Sequence, residues 1–228
     1  MPRWKWWSNS YHMLISSLPA LPPHFDVERL PITLERLQSR LRMLRPEDAE
    51  EIERMLAVLR WANQFEEPSD AAVVQRYNVL MRDITNPLVR DILEHAMDVR
   101  MIAVALRSRR LGRALPTVGV GQWFAHIRHN FNQPGFRLGQ VFPWILEAER
   151  LLAQGDVLTL YRQYVLGATW TYLKKRAEDY SFSFEAVVLY IARWDIMRRW
   201  QQLQAERGRV MFETLVTEAL GEYANIYS

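Results

Sequence analysis

An all-α fold, with antiparallel helical bundles arranged in two lobes, is what this sequence predicts, and three observations carry that reading. Apolar residues recur at steps of three and four along most of the 228 residues, the spacing that lines up one face of a helix. These stripes are bracketed by residues that start and stop helices. No credible pair of strands and no low-complexity tract interrupts them.

The stretch Asn86 to Gly112 is the clearest case. Asn86 can cap the first free amides, and Pro87 suits the first helical position because its missing N–H costs nothing there. Leu88, Ile92, Ala96, Val99, Ile102 and Leu106 share one face. Asp91, Glu94 and Asp98 lie early and Arg107, Arg109 and Arg110 late, complementing the helix dipole. Gly112 stops the helix and Pro116 prevents a quick restart. At about 1.5 Å per residue the rod is about 38 Å long, enough to cross a domain.

The other elements follow in order. Tyr11 to Ser17 reads as a short strand or an extended segment docked on the core, and Pro19, Pro22 and Pro23 then break regular structure. A helix starts after Thr33 with Leu34, Leu37, Leu41 and Leu44 at helical spacing. Pro46 opens a second, with Glu47, Asp48, Glu50 and Glu51 in its first turns and a stripe of Ile52, Met55, Leu56, Leu59 and Ala62. A loop around Glu66 to Ser69 leads to a third helix near Ala71 to Asp83, and then to the rod.

Beyond Gly112 the chain loosens, with Pro116, Gly119, Gly121, Pro134, Gly135 and Gly139 in close succession. A short helix over Trp123 to Asn130 is expected within this stretch. The expected division is therefore an N-terminal lobe over 1–114, a connecting stretch over 115–139 and a C-terminal lobe over 140–228. In the last of these, Phe142 to Ala153 is helical and ends at Gly155. Asp156 caps a helix reaching about Glu178. Ser181 or Ser183 caps another that carries Phe184, Val187, Val188, Ile191, Trp194, Ile196 and Met197. Gly208 is expected to separate it from a last helix near Arg209 to Ala224.

Composition narrows the chemistry. Apolar residues make up 49% and charged residues 24%, the profile of a soluble globular chain. The absence of cysteine removes disulfides and thiol catalysis and fits a reducing cytoplasm. The net charge of +3, with both signs interspersed, argues weakly for nucleic acid. No apolar run approaches the roughly 20 residues that span a bilayer. Met1 to Leu21 mimics a secretory signal only superficially, because Ser16, Ser17 and Pro19 interrupt its apolar part. Trp4, Trp6, Trp7 and Lys5 suit a membrane interface, a minor alternative.

Little in the sequence suggests catalysis or a cofactor. His126 and His129 stand one helical turn apart, but a zinc site needs at least a third ligand and no acidic cluster supplies one. Gly119-Val-Gly121 is too short to cradle a phosphate. Acidic pairs such as Glu50 with Glu53, or Glu147 with Glu149, sit among arginines on helices and read as solvated faces. The candidate binding surface is Arg107, Arg109, Arg110 and Arg113, either as dipole-complementing charge or as a docking patch for an acidic partner. Trp194 and Trp200, with Phe184 and Tyr190 near helical spacing, read first as core and second as interface anchors. A helical nucleic-acid-binding or regulatory module using the same arginines is the alternative.

A resemblance adds a partner to this picture. The run AMDVRMIAVALRSRRLG resembles a segment of the C-type central-stalk subunits of V/A-type rotary ATPases, through Asp98, Leu106, Arg107, Arg109, Arg110 and Gly112. Arg100 and Met101 stand where that segment usually has Asn-Leu. The run SFEAVVLYIARWDIMRRW resembles a later helix of the same subunits, through Glu185, Ala186, Val187 and Tyr190. More of the chain, from YHMLISSLPAL through GFRLGQVFPWILEAERLL to FSFEAVVLYIARWDIMRRW, is similar to a bacterial family encoded alongside these ATPases. The resemblance implies an all-helical, non-catalytic subunit or assembly factor that links the central shaft to the membrane rotor ring. It would sit at the cytoplasmic face of the membrane and touch lipid only through its partner subunits. The chain is shorter than the three-lobed central-stalk subunits, which implies two lobes at most.

Overall fold

The computed structural model describes residues 11–64 and 69–226, with the backbone alone described at 62–64, 157–158 and 207–226. The tryptophans at positions 4, 6 and 7 and most of the loop from Glu66 lie outside the described residues. Every regular element among the described residues is helical, so the fold class is all-α. None of their helices is long and apolar enough to cross a membrane.

The stretch from Tyr11 to Ser17, where the sequence predicts a short strand or an extended segment, holds a helix instead. Helix α1 (His12–Ser17) buries Leu14, and the Ser17 hydroxyl donates to the Leu14 carbonyl at 2.7 Å. Tertiary anchors fix this short turn: the Tyr11 amide donates to the Phe182 carbonyl at 2.6 Å, and the Tyr11 hydroxyl donates to Asp48. Six residues hold too few periodic positions for the pattern alone to separate helix from strand.

Capping then places the next helices. The Thr33 hydroxyl accepts from the Arg36 amide at 3.4 Å to start α2 (Leu34–Leu41). Pro46 starts α3 (Pro46–Gln64), and Ser69 accepts from the Ala72 amide to start α4 (Asp70–Arg82). Asn86 accepts from the amides of Leu88 and Val89, at 2.9 and 3.2 Å, to start α5 (Pro87–Arg110). Gly112, with φ of 63°, turns the chain out of α5 in the left-handed conformation that glycine tolerates.

Helix α5 is the axle of the fold. Of its expected stripe, Leu88, Ile92, Val99, Ile102 and Leu106 are buried and Ala96 is half-buried, and several residues beside it are buried too, including Val89, Leu93, Met97 and Met101. Its first half packs in one hydrophobic cluster with α1, α2, α3 and the two helices that end the chain. Its second half packs in another with residues from Val120 to Leu160. The glycine-rich stretch after Gly112 supplies that second core directly: Val120, Ile127, Phe136 and Leu138 are all buried. It also holds α6 (Phe124–His129), within the expected Trp123 to Asn130.

Helix α7 (Ile145–Gln154) ends on Gly155 in the left-handed conformation, as its position predicts. The Asp156 carboxylate accepts from the Thr159 amide at 3.0 Å and opens α8 (Val157–Leu160). The helix does not then run uniformly. Tyr161–Leu166 is wound as a π-helix before α9 (Gly167–Arg176) resumes the α form.

The last helix departs from expectation most. Helix α10 (Phe184–Ile226) passes unbroken through Gly208, which does not divide it. A helical glycine costs only about 1 kcal/mol relative to alanine. No proline or polar turn cluster follows this one to enforce a stop.

Candidate functional site

Basic side chains gather at the C-terminal end of α5 and split into two kinds. Arg107, Arg110 and Arg113 are exposed, and no acidic partner accompanies them among the described residues. Arg109 turns inward. Its guanidinium donates to the carbonyls of Phe131 and Gln133 at 3.1 and 2.9 Å, pairs with Glu149, and lies 4.5 Å from the centroid of the Phe136 ring.

That inward turn has a local cause. Gly135, Phe136 and Arg137 all adopt left-handed backbone conformations, with φ of 53°, 53° and 56°. For the two non-glycine residues this costs roughly 1–2 kcal/mol each. Complete burial of Phe136 and the fork of Arg109 on the flanking carbonyls offset that cost. Arg109 is therefore a structural clamp, and the free face of the basic cluster consists of Arg107, Arg110 and Arg113.

The two candidate tryptophans lie in the first core, away from that face. Trp194 is 3% exposed and its indole donates to the Ile32 carbonyl at 2.9 Å. Trp200 is 6% exposed, meets Phe25 edge-on at 6.0 Å and carries Arg162 over its ring. A ring nitrogen of His126 lies 3.0 Å from the Phe136 carbonyl, which accepts from it in the matching tautomer. No group of three or more His, Asp or Glu side chains is placed to hold a metal among the described residues.

A cleft of about 1240 Å³ opens beside the middle of α5. One wall is the π-helical turn, which contributes Arg162, Gln163 and Tyr164; single π turns inside α-helices are frequent at functional sites. The Gln122–Trp123 loop and the segment around Phe142 and Trp144 also line it. Their rings form one continuous chain. His95 stacks on Tyr172 at 3.9 Å and reaches Phe142 at 6.2 Å. Phe142 meets Trp123 at 6.4 Å and Trp144 at 6.0 Å, and Trp144 stacks on Tyr164 at 5.8 Å.

Asp98 lies at the foot of this chain, 4% exposed. Its carboxylate accepts from the Trp123 amide at 3.1 Å. Gly121 permits that close approach, since a Cβ there would stand 2.5 Å from the Asp98 oxygen. Burial raises the Asp98 pKa to about 6, opposed by the backbone amides of Trp123 and Gln122. Burial also drives the His95 imidazole down to about 4, so it is neutral at physiological pH. Two strongly perturbed groups three residues apart on one helix, both lining a cleft, form the kind of environment found at functional sites.

The sequence pattern places Asp98 among the early acids of a helix and does not single out the cleft. Its one local signal is an acid on the apolar face, one residue before Val99. The rings that complete the cleft come from positions 123–172, and no local pattern connects them to α5.

Neither a curated protein nor a solved structure matches the chain. A family model does match, over residues 68–220, which take in α4 to α9 and most of α10. On that match, covering well over half of its length, the chain belongs to DUF2764, a family of proteins of unknown function.

Proposed function

We propose that the protein is a non-catalytic subunit or assembly factor of a V/A-type rotary ATPase, bound between the central shaft and the rotor ring at the cytoplasmic face. The supporting sequence features are the α5 run ending in Arg107, Arg109, Arg110 and Gly112, and the α10 run from Glu185 to Tyr190, both similar to the C-type central-stalk subunits. The observation that carries the reading is the position of Arg107, Arg110 and Arg113. They stand exposed at the end of a helix whose apolar side is buried from Leu88 to Leu106, as a docking contact for an acidic surface requires. Arg109, Trp194 and Trp200 then act indirectly, by fixing the shape that presents this tip.

Mass spectrometry of a tagged pull-down from mildly solubilised membranes tests the proposal. Recovery of catalytic, shaft and ring subunits in fixed proportion is expected of a structural component, and of soluble subunits alone in low proportion of an assembly factor. Reversing charge at Arg107 and Arg110 together should reduce recovery and make what remains more salt-sensitive. Recovery of no ATPase subunit rejects the proposal. Retention instead on duplex DNA, falling steeply with salt, would favour the nucleic-acid alternative.

A further inference from the structure

The cleft beside α5 has a chemical character that the basic tip of the helix does not share. Its lining carboxylates are Asp26, Asp91 and Asp98. Asp26 is neutralised by Arg162, and Asp91 by Arg176 at 2.8 Å. Asp98 has no ion-pair partner among the described residues, although it is the most buried of the three. A buried carboxylate without a counter-charge is costly to keep ionised. Around it, Trp123, Trp144, Tyr164 and Tyr172 are half-buried, so each also presents surface to the cleft.

From this arrangement we infer that the cleft is a binding site for an organic cation, an alkylammonium or guanidinium group boxed by Trp123, Phe142, Trp144 and Tyr172 with Asp98 as its counter-charge. Aromatic faces attract such cations through the ring quadrupole, and the attraction strengthens when water is excluded. A metal ion is a poorer fit, since it needs several oxygen or imidazole ligands, and Asp98 is the lone unpaired carboxylate among the described lining residues. An anion would meet Asp98, and of the two cations that line the cleft Arg162 is already paired with Asp26 and Lys175 is exposed. The volume of about 1240 Å³ admits either a free amine or a lysine or arginine side chain carried by a peptide. The inference stands independently of the ATPase reading.

Calorimetric titration of the full chain tests it with two probes, choline and its neutral isostere 3,3-dimethylbutan-1-ol. Choline should bind at least about tenfold more tightly than the isostere, a difference worth about 1.4 kcal/mol. Asp98→Asn keeps the shape and an acceptor for the Trp123 amide and should erase the preference. Should that variant fail to fold, Trp144→Leu, at a half-exposed ring, should weaken choline binding about tenfold on the same scale. A short peptide with a single trimethyllysine or arginine separates the sources. Binding much tighter than choline marks a partner's side chain, and binding no tighter marks a free amine. Equal affinity for choline and its isostere, no binding of any cationic probe, or full affinity in a folded variant would overturn the inference.

Discussion

Asp98 and His95 sit one turn apart on α5 and respond to acid in opposite senses. The Asp98 carboxyl has its pKa raised to about 6, so between the unfolded value and pH 6 the folded chain holds a proton that the unfolded chain has lost. Stability from this group therefore grows as pH falls from about 6 towards 4. His95 has its pKa lowered to about 4, so over much the same range the unfolded chain gains a proton that the folded chain refuses. Its contribution is lost as pH falls. Each acts with a slope approaching about 1.4 kcal/mol per pH unit, one proton's worth, and the two largely cancel. The variants expose the balance. Relative to the unmodified chain, Asp98→Asn should lose stability on acidification from pH 6.5 to 4, and His95→Phe should gain it, measured by urea unfolding across that range. Glu94 on α5 pushes Asp98 further upward, and Tyr172 covers the His95 ring from α9. Parallel pH profiles for both variants would contradict this account.

Among the elements, the turn over Gly135 to Arg137 depends most visibly on another part of the chain. Arg109, reaching from α5, supplies donors to carbonyls on the near side of this turn and pairs with Glu149 on α7. Arg109→Met keeps much of the packing over Phe136 but leaves those acceptors unpaired, so a loss of about 1–3 kcal/mol is expected in chemical denaturation. Lysine at this position should recover only part of it, because it lacks the planar fork that serves three acceptors at once. Caps and stripes, by contrast, are legible in the sequence. Thr33, Asn86, Asp156 and Gly155 act where their identities place them, because capping depends on residues within a turn of each other. Features made by distant partners are not legible. Glu51 looks like one more acid on an exposed first turn, yet it is 3% exposed and accepts from the Thr85 and Asn86 amides, each at 2.8 Å. The π turn at Tyr161–Leu166 and the burial of Asp98 belong to the same class. Gly208 misleads for another reason: a lone glycine weakens a helix without ending it. The basic tip of α5 is legible as a cluster, whereas the inward turn of Arg109 requires the fold of the segment after Gly112.

At the scale of the whole molecule, α5 decides how the two hydrophobic clusters relate. Ile92 belongs to the first and Ile102 to the second, and they are 2% and 0% exposed on one unbroken helix. Ala96 and Tyr77 pack against both clusters. Melting either cluster would strip apolar cover from half of α5. An isolated helical remnant of about 12 residues is marginal in water. The two clusters should therefore unfold together. Calorimetry should show one transition with equal calorimetric and van't Hoff enthalpies. Ile92→Ala and Ile102→Ala should each lower that single transition, by about 2–5 kcal/mol of stability as expected for truncating a buried aliphatic side chain. Two resolved transitions, with each substitution moving only its own, would mean that α5 divides at its middle. Such a division would also bear on the basic tip, because a tip anchored to a separately melting cluster cannot transmit force along the rod. A single transition keeps the tip, the cleft and the first core mechanically continuous, which the proposed coupling role requires.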